Sequence, residues 1–111
     1  MSRVFVVQVP ANRVAGEWIT KYDLSAAEHF GELIQVLPFG NVPMDPGPTR
    51  ARLFEVLSSF DSTADFILLL GDPVALAQAV NVLTAILGEG RGFRCLKWDR
   101  RRQRYDPYCV G

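Results

Sequence analysis

The chain has few of the side chains on which metal sites and disulfide scaffolds depend. Its 111 residues include one histidine, His29, and two cysteines, Cys95 and Cys109. A structural zinc site needs about four such ligands, so no metal site is expected. Two cysteines are also too few for the disulfide framework of a small secreted protein. We therefore expect no metal, no cofactor and reduced thiols.

The chain also lacks the glycine-rich patterns G-x-G-x-x-G and G-x-x-x-x-G-K that hold phosphates. No apolar run approaches the ~20 residues of a membrane span. The apolar stretch near the N-terminus, residues 4–9, is too short for a signal peptide, and no cleavage site of small residues follows it. These absences predict a cytoplasmic protein that makes no contact with a membrane.

The net charge is zero, but the charge is unevenly distributed along the chain. Residues 89–111 carry seven basic and three acidic side chains, whereas residues 1–88 carry five basic and nine acidic ones. The two parts therefore have net charges of +4 and −4. This asymmetry directs the search for a partner-binding surface to the C-terminal segment.

The segment from Asp65 to Leu87 fixes the fold class. Residues 66–70 form an unbroken apolar run of strand length, as expected for a strand that is buried on both faces of a parallel sheet. Gly71 ends this run. Asp72 is a favourable N-cap, and Pro73 suits the first position of a helix that extends to Leu87.

The other segments complete a single α/β domain over residues 1–111. Strands are predicted over residues 3–9, 32–37, 93–99 and 104–110, a short helix with a capping-box spacing begins at Ser25, and an amphipathic helix covers residues 49–60. Residues 11–22 and 39–48 are predicted loops. The order β-α-β-α-β-α-β-β predicts a mostly parallel four-stranded sheet with a C-terminal antiparallel β-hairpin and an antiparallel edge strand.

The helix over residues 73–87 is apolar around most of its circumference, since its polar side chains are only Gln78, Asn81 and Thr84. Either other elements of the chain cover it, or its apolar surface contacts a second copy of the protein. With only one other sizeable helix available, a homo-oligomer is an open alternative. The interface residues would be Val74, Ala77, Val80, Leu83 and Leu87.

The C-terminal hairpin has the composition of a binding surface. Four arginines occupy five positions between Trp98 and Tyr105. Arginine and aromatic side chains are enriched at protein interfaces, and they also bind nucleic acids by contacting phosphates and stacking on bases. The candidate partner-binding residues are Trp98, Arg100, Arg101, Arg102, Arg104 and Tyr105. The preferred partner is a host or phage protein, and the alternative is nucleic acid, with single strands preferred. A third interpretation is a soluble turn that protects a sheet edge.

A turn centred on Arg102 would place Cys95 opposite Cys109 and Leu96 opposite Tyr108.

A weaker alternative is a small-molecule site or an enzyme at the turn Gly71-Asp72 that uses His29. Pro73 removes one backbone N–H there, and Asp72 adds a negative charge, so this turn is a poor phosphate site. We expect a protein that is not an enzyme.

The segments VFVVQVP, KYDLSAAEHFGELIQVLP, LLLGDPVALAQAV and CLKWDRRRQRY together resemble a group of small hypothetical proteins of tailed phages and prophages. The shared motifs are V-F-V-V-Q, L-L-G-D-P and L-K-W-D, and the resemblance covers most of the chain. The C-terminal YDPYCVG is longer than the usual ending in this group. The resemblance implies a phage-type accessory protein that binds host or phage macromolecules and does not catalyse a reaction.

Overall fold

Two strands that are buried on both faces lie at the centre of a five-stranded sheet. The computed structural model describes residues 2–111. The sheet has the order β4-β1-β5-β6-β7, and its strands are β1 (Arg3–Gln8), β4 (Glu32–Leu37), β5 (Phe66–Leu68), β6 (Phe93–Asp99) and β7 (Arg104–Val110). The first four are parallel to one another, and β7 pairs with β6 in the antiparallel direction. The predicted α/β class, the mostly parallel sheet and the C-terminal hairpin are confirmed, although the sheet has five strands.

The helices cover the two faces of this sheet unequally. Helices α1 (Pro46–Leu57) and α2 (Pro73–Leu87) share an apolar cluster with Phe5 and Val7 of β1. The short 3-10 helix Ser25–Phe30 covers Val4 and Val6 on the opposite face. In the sheet, β4 lies on one side of β1 and β5 on the other. The connection from β4 to β5 therefore crosses the sheet in the opposite direction to the connection from β1 to β4. Right-handed crossovers therefore place the connecting helices on opposite faces.

The segment that fixed the fold class has the predicted order of strand, turn and helix, but β5 ends at Leu68 and not at the predicted residue 70. All three residues of β5 are buried, and this strand pairs with β1 on one side and β6 on the other. Asp72 caps α2, since its Oδ1 accepts hydrogen bonds from the backbone N–H groups of Val74 at 2.8 Å and Ala75 at 3.3 Å. The bounds of α2 match the predicted Pro73–Leu87.

The predicted loop at residues 11–22 is wrong, because it contains a separate β-hairpin. Strands β2 (Ala11–Val14) and β3 (Glu17–Thr20) pair with each other and not with the main sheet. Ala15 and Gly16 connect them with φ values of 51° and 82°. A two-residue turn with positive φ at both positions matches the twist of paired strands. Alanine rarely adopts this conformation, and for that reason the sequence did not indicate the turn.

Two helix starts differ from the prediction. Helix α1 begins at Pro46, because Asp45 caps it by accepting a hydrogen bond from the N–H of Gly47 at 3.0 Å. The loop predicted over residues 39–48 therefore ends before Pro46. The predicted capping box at Ser25 does not form. Asp23 instead accepts a hydrogen bond from the N–H of Ser25 at 2.9 Å, and the segment is a 3-10 helix.

Helix α1 covers much of the apolar surface of α2. The two helices lie side by side on the sheet, with Leu53 and Leu57 of α1 fully buried in the same cluster as Val82. Arg50 of α1 donates a hydrogen bond to Asn81 Oδ1 at 2.9 Å. Part of the apolar surface of α2 therefore packs against α1, and part packs against the sheet.

We expect Leu68→Ala to lower the free energy of unfolding by about 2–5 kcal/mol, because Leu68 is 3% exposed in the central strand and its truncation leaves a cavity. Ile19→Ala is the control, since Ile19 is 53% exposed on β3 and its truncation should cost under about 1 kcal/mol. Chemical denaturation measures both. Equal losses for the two variants would contradict the central position of β5.

Candidate functional site

The C-terminal hairpin extends beyond the rest of the sheet. Strand β5 ends at Leu68 and pairs with β6 only at Cys95. Residues 96–99 of β6 therefore pair only with β7, and the loop 100–103 lies beyond them. On one face of this hairpin end, Leu96 and Tyr105 pack into the apolar cluster under the 3-10 helix. The six candidate partner-binding residues all lie on this projecting part.

The register of the hairpin differs by one residue from the prediction. Cys95 lies opposite Tyr108, Leu96 opposite Pro107, and Cys109 opposite Arg94. Asp99 sets this register, because its Oδ1 accepts hydrogen bonds from the N–H groups of Arg101 at 2.9 Å and Arg102 at 3.2 Å. The resulting four-residue loop contains Gln103 at a φ of 55°. A one-residue change in register moves side chains to the other face of the sheet.

The aromatic pair lies on one face of the hairpin. Trp98 is directly opposite Tyr105, and the two rings meet edge to face with their centroids 4.9 Å apart. Tyr105 is half-buried against the apolar cluster under the 3-10 helix, while Trp98 remains 40% exposed. The structure therefore fixes the orientation of an exposed indole ring.

Carboxylates neutralise two of the four candidate arginines. Arg104 lies on the opposite face from Tyr105, with its Nε 3.2 Å from Asp106 Oδ1. Arg102 Nη1 is 3.7 Å from Asp99 Oδ2. Within residues 2–111, Arg100 and Arg101 form no ion pair, and both are exposed at the loop. These two guanidinium groups lie in the loop that follows β6 and carry positive charge that no carboxylate in this part of the chain offsets.

The five candidate interface residues of α2 do not share one face. Leu83 is fully buried against the sheet, and Val80 and Leu87 pack against the same core. Val74, which is 68% exposed, and Ala77 lie on the outer side of the helix. These two residues are the exposed members of the set, Val80 and Leu87 are partly exposed, and self-association remains a prediction.

The two cysteines lie on opposite faces of the hairpin. Cys109 is exposed, while Cys95 is half-buried against the cluster under α1 and α2. Burial raises the pKa of the Cys95 thiol above its ordinary value. A disulfide between them would require side chains that point to the same face.

A second candidate site lies at the carboxyl end of the parallel strands. Gln8 ends β1 and is 7% exposed. Its Nε2 donates to the carbonyl of Gly40 at 2.7 Å, and its Oε1 accepts from the N–H of Asp72 at 3.0 Å. Gly71 has a φ of 123°, and a Cβ there would lie 2.5 Å from Gln8 Cβ. This side chain therefore joins the loops that follow β4 and β5 to the end of β1.

Two adjoining cavities open at this edge of the sheet. One has a volume of about 580 Å³ and lies between the end of β4 and the start of α1. The other has a volume of about 370 Å³ and reaches the turn Gly71-Asp72. Gln8, Asn41 and Val42 line both cavities. We call the two together the carboxyl-edge crevice.

His29 does not belong to this crevice. It is exposed on the 3-10 helix, two residues before Gly31, where a Cβ would lie 2.3 Å from the carbonyl oxygen of Ser2. Gly31 therefore lies beside the amino end of β1, whereas Gly71 and Asp72 lie at its carboxyl end. The structure does not bring His29 together with the Gly71-Asp72 turn.

The β2–β3 hairpin contributes residues that the sequence did not indicate. Trp18 stacks on Phe39 with ring centroids 5.7 Å apart and lies over Gly40, while Arg13 lies over its indole ring. These contacts fix the hairpin above the loop that follows β4. Val14 and Ile19 are about half exposed on its other face. A regular alternation of apolar and polar residues, the usual signal of a strand, is absent here.

Within residues 2–111, neither α-helix has the length and hydropathy of a membrane span. The same residues contain no cluster of three or more side chains suited to bind a metal ion.

Comparison with known proteins places the chain in a phage family. The family model described as phage Pam3 gp32-like protein matches residues 2–111, and the chain therefore belongs to this family. No curated protein and no solved structure matches the chain. This match confirms the resemblance to a phage protein family.

We expect Gly71→Ala to lower the free energy of unfolding by more than about 2 kcal/mol, because it combines an unfavourable φ with a collision against Gln8 Cβ. Gly90→Ala is the matched control. Gly90 has a φ of 79° and no atom within 4 Å of the added Cβ, so only the backbone cost of about 1–2 kcal/mol applies. Indistinguishable denaturation curves for the two variants would exclude the close packing of Gly71 on Gln8.

Thiol labelling should distinguish the two cysteines. We expect a thiol reagent at neutral pH to modify Cys109 at least about tenfold faster than Cys95, because Cys109 is exposed whereas burial limits access to Cys95 and lowers its thiolate fraction. Labelling of Cys95 should accelerate as the pH rises toward its raised pKa. Mass spectrometry of the Cys95→Ser and Cys109→Ser variants assigns each rate. A disulfide between the two in the native protein would refute the register.

Proposed function

We propose that the protein is a non-enzymatic phage accessory protein that binds an acidic surface of a host or phage protein through the projecting end of its C-terminal hairpin. One observation supports this proposal above the others. Trp98 is 40% exposed, and its edge-to-face contact with Tyr105 fixes its ring. The loop that follows contains Arg100 and Arg101, which form no ion pair within residues 2–111. We place this interaction in the cytoplasm of the host cell.

The chemistry of these side chains favours a protein partner. Tryptophan, tyrosine and arginine are the residues most enriched among those that dominate the affinity of protein interfaces. The edge-to-face contact with Tyr105 fixes the indole ring before binding, which lowers the conformational entropy that binding must remove. Arg100 and Arg101 then provide two positive charges at the rim, where they favour an acidic partner.

The same residues give nucleic acid as the second candidate, because guanidinium groups bind phosphates and an exposed indole stacks on bases. Two observations favour protein over nucleic acid. Asp99 and Asp106 lie among the arginines of the hairpin, and residues 1–88 carry a net charge of −4. Both features repel a polyanion that extends beyond the hairpin loop.

A non-catalytic role is also part of the proposal. His29 is exposed and lies at the other end of β1 from the carboxyl-edge crevice. The crevice therefore lacks a histidine, which is the side chain most often used in general acid–base catalysis. The free thiol with the greatest exposure, Cys109, lies on a strand near the C-terminus and not at a helix N-terminus.

Site-specific photo-crosslinking tests the hairpin. A benzophenone amino acid replaces Arg101 in one variant and Glu55, which is exposed on α1, in the control. After irradiation of phage-infected cells, we expect a discrete protein adduct from position 101 and none of the same mass from position 55. Adding Trp98→Ala should reduce the adduct at least about tenfold, as for an interface residue that contributes about 2 kcal/mol or more.

The second tryptophan provides the matched control. Trp18→Ala removes an indole of similar exposure, 37%, from the β2–β3 hairpin and should leave the adduct unchanged. Equal adducts from positions 101 and 55, or equal effects of the two tryptophan variants, would refute the hairpin as the binding surface. Adducts that nuclease removes would instead support the nucleic-acid candidate, whose affinity should fall steeply with salt.

A further inference from the structure

We propose that a gap in the sheet, between the end of β5 and the projecting part of β6, receives an extended segment of the acidic partner protein as an added strand. This inference rests on the proposed function and identifies the part of the partner that the hairpin binds. The gap is a cavity of about 460 Å³ that is lined by residues 68–70 and by hairpin residues, among them Trp98 and Tyr105. We call it the β5–β6 gap.

A turn at Leu69 opens this gap. The N–H of Leu70 donates a hydrogen bond to the carbonyl of Leu68 at 3.0 Å, and such three-residue turns are common at strand ends. The carbonyl of Leu70 then accepts a hydrogen bond from the N–H of Gln8 at 3.0 Å, which keeps the chain beside β1. Strand β6 continues to Asp99, so β5 leaves its end without a neighbour on this side.

The edge of β6 that faces the gap has free backbone groups. A hydrogen-bonded pair of an antiparallel ladder exchanges two N–H···O bonds, and Pro107, which lies opposite Leu96, has no N–H to donate. The N–H and C=O groups of Leu96 therefore point away from β7, and those of Trp98, two residues later, point the same way. Within residues 2–111, no backbone hydrogen bond joins Trp98 to residues 69–72. An added strand would satisfy these groups, as in peptide recognition at sheet edges.

The walls of the gap are apolar on both faces of the sheet. Leu69 packs against the cluster under α1 and α2, whereas Leu70 and Tyr105 pack against the cluster under the 3-10 helix. All three residues line the gap, as expected for an opening between two strands and not for a pocket on one face. Side chains of a strand alternate between the two faces, so successive side chains of an added strand can each contact an apolar wall.

Positive charge surrounds the gap. Lys97 is the charged residue among those of the described chain that line it, and Lys97 is exposed. The carboxylate opposite Lys97, that of Asp106, pairs with Arg104, and Lys97 forms no ion pair in the described part of the chain. Arg100 and Arg101 follow in the adjoining loop. These cations favour a segment whose apolar side chains are flanked by carboxylates.

The two outer edges of the sheet are poorer positions for an added strand. On β7, Pro107 removes an N–H, and Arg104 and Asp106 add charge, which are the features by which exposed edges avoid pairing. In β4, the strand at the other edge, the carbonyl of Val36 already accepts a hydrogen bond from Arg52 Nε at 3.0 Å. The β5–β6 gap combines free backbone groups with apolar walls.

Amide hydrogen exchange, followed by NMR on the full chain, tests the free edge of β6. We expect the N–H of Trp98 to exchange at least about tenfold faster than that of Lys97, because Lys97 is in a hydrogen-bonded pair with Asp106 whereas the N–H of Trp98 faces the gap. Equal protection of the two amides, after correction for their intrinsic rates, would overturn the proposal.

The photo-crosslink from position 101 in infected cells tests occupation of the gap. Leu69→Trp and Leu70→Trp each place a larger side chain in the gap, and each should reduce the adduct at least about tenfold, with circular dichroism reporting whether the fold is retained. Ile19→Trp is the matched control, because Ile19 is 53% exposed on β3 and lies outside the gap. It should leave the adduct unchanged.

Charge reversal gives a test that leaves the walls of the gap in place. Lys97→Glu should reduce the same adduct at least about fivefold, whereas Lys21→Glu, which reverses an exposed charge outside the gap, should not. An undiminished adduct in Lys97→Glu or in a folded gap-filling variant would overturn the gap and leave the hairpin loop as the binding surface. Absence of the adduct in the unmodified protein would instead remove the proposed function itself. An adduct with the mass of a second copy of this chain would overturn the acidic partner in favour of self-association.

Discussion

The structure depends on covering both faces of β1 and β5 with very few elements. Residues 4–7 of β1 are at most 1% exposed, and they alternate between the two faces of the sheet. Helices α1 and α2 cover one face, whereas only a six-residue 3-10 helix covers the other. The hairpin completes this second face, since Leu96 and Tyr105 belong to the same cluster. Trp98 is thus the outer member of an apolar layer that the core requires, and this explains why an exposed indole is so well fixed.

The same arrangement produces the carboxyl-edge crevice. Since β1 lies between β4 and β5, its last residue is surrounded by the loops that follow both neighbours. Gln8 satisfies the polar groups of these loops with one side chain, through Gly40 and Asp72. Gly71 must lack a Cβ because the loop after β5 passes directly over Gln8. Gln8 therefore holds the two loops that border the crevice against the end of β1.

The sequence predicts those parts whose signals are local. The apolar run of β5, the Asp72 cap and the length of α2 lie within one continuous segment, and they were predicted with the correct helix bounds. The β2–β3 hairpin was missed, because its turn needs a positive φ at Ala15. The hairpin register was wrong by one residue, since the backbone contacts of Asp99, and not the run of arginines, determine the loop. The candidate binding residues of the hairpin could be predicted from composition, but the face of the hairpin on which each lies could not. The carboxyl-edge crevice could not be predicted either, because the loops that form it are distant from one another in the chain.

The charge distribution gives the two surfaces different chemistry. The basic residues are concentrated at the hairpin, where Asp99 and Asp106 offset two arginines and leave the loop with a small local excess of positive charge. At the carboxyl edge, the carboxylates of Asp45 and Asp72 are directed to the helix N-termini, so the favourable anion positions are already filled. One end of the molecule therefore carries exposed positive charge, and at the other end two carboxylates serve as helix caps. Strand β5 lies between them, is buried on both faces and is paired on both sides. Coupling between sites requires an element with two alternative arrangements. A strand held in this way has one arrangement, and we therefore expect the two surfaces to act independently.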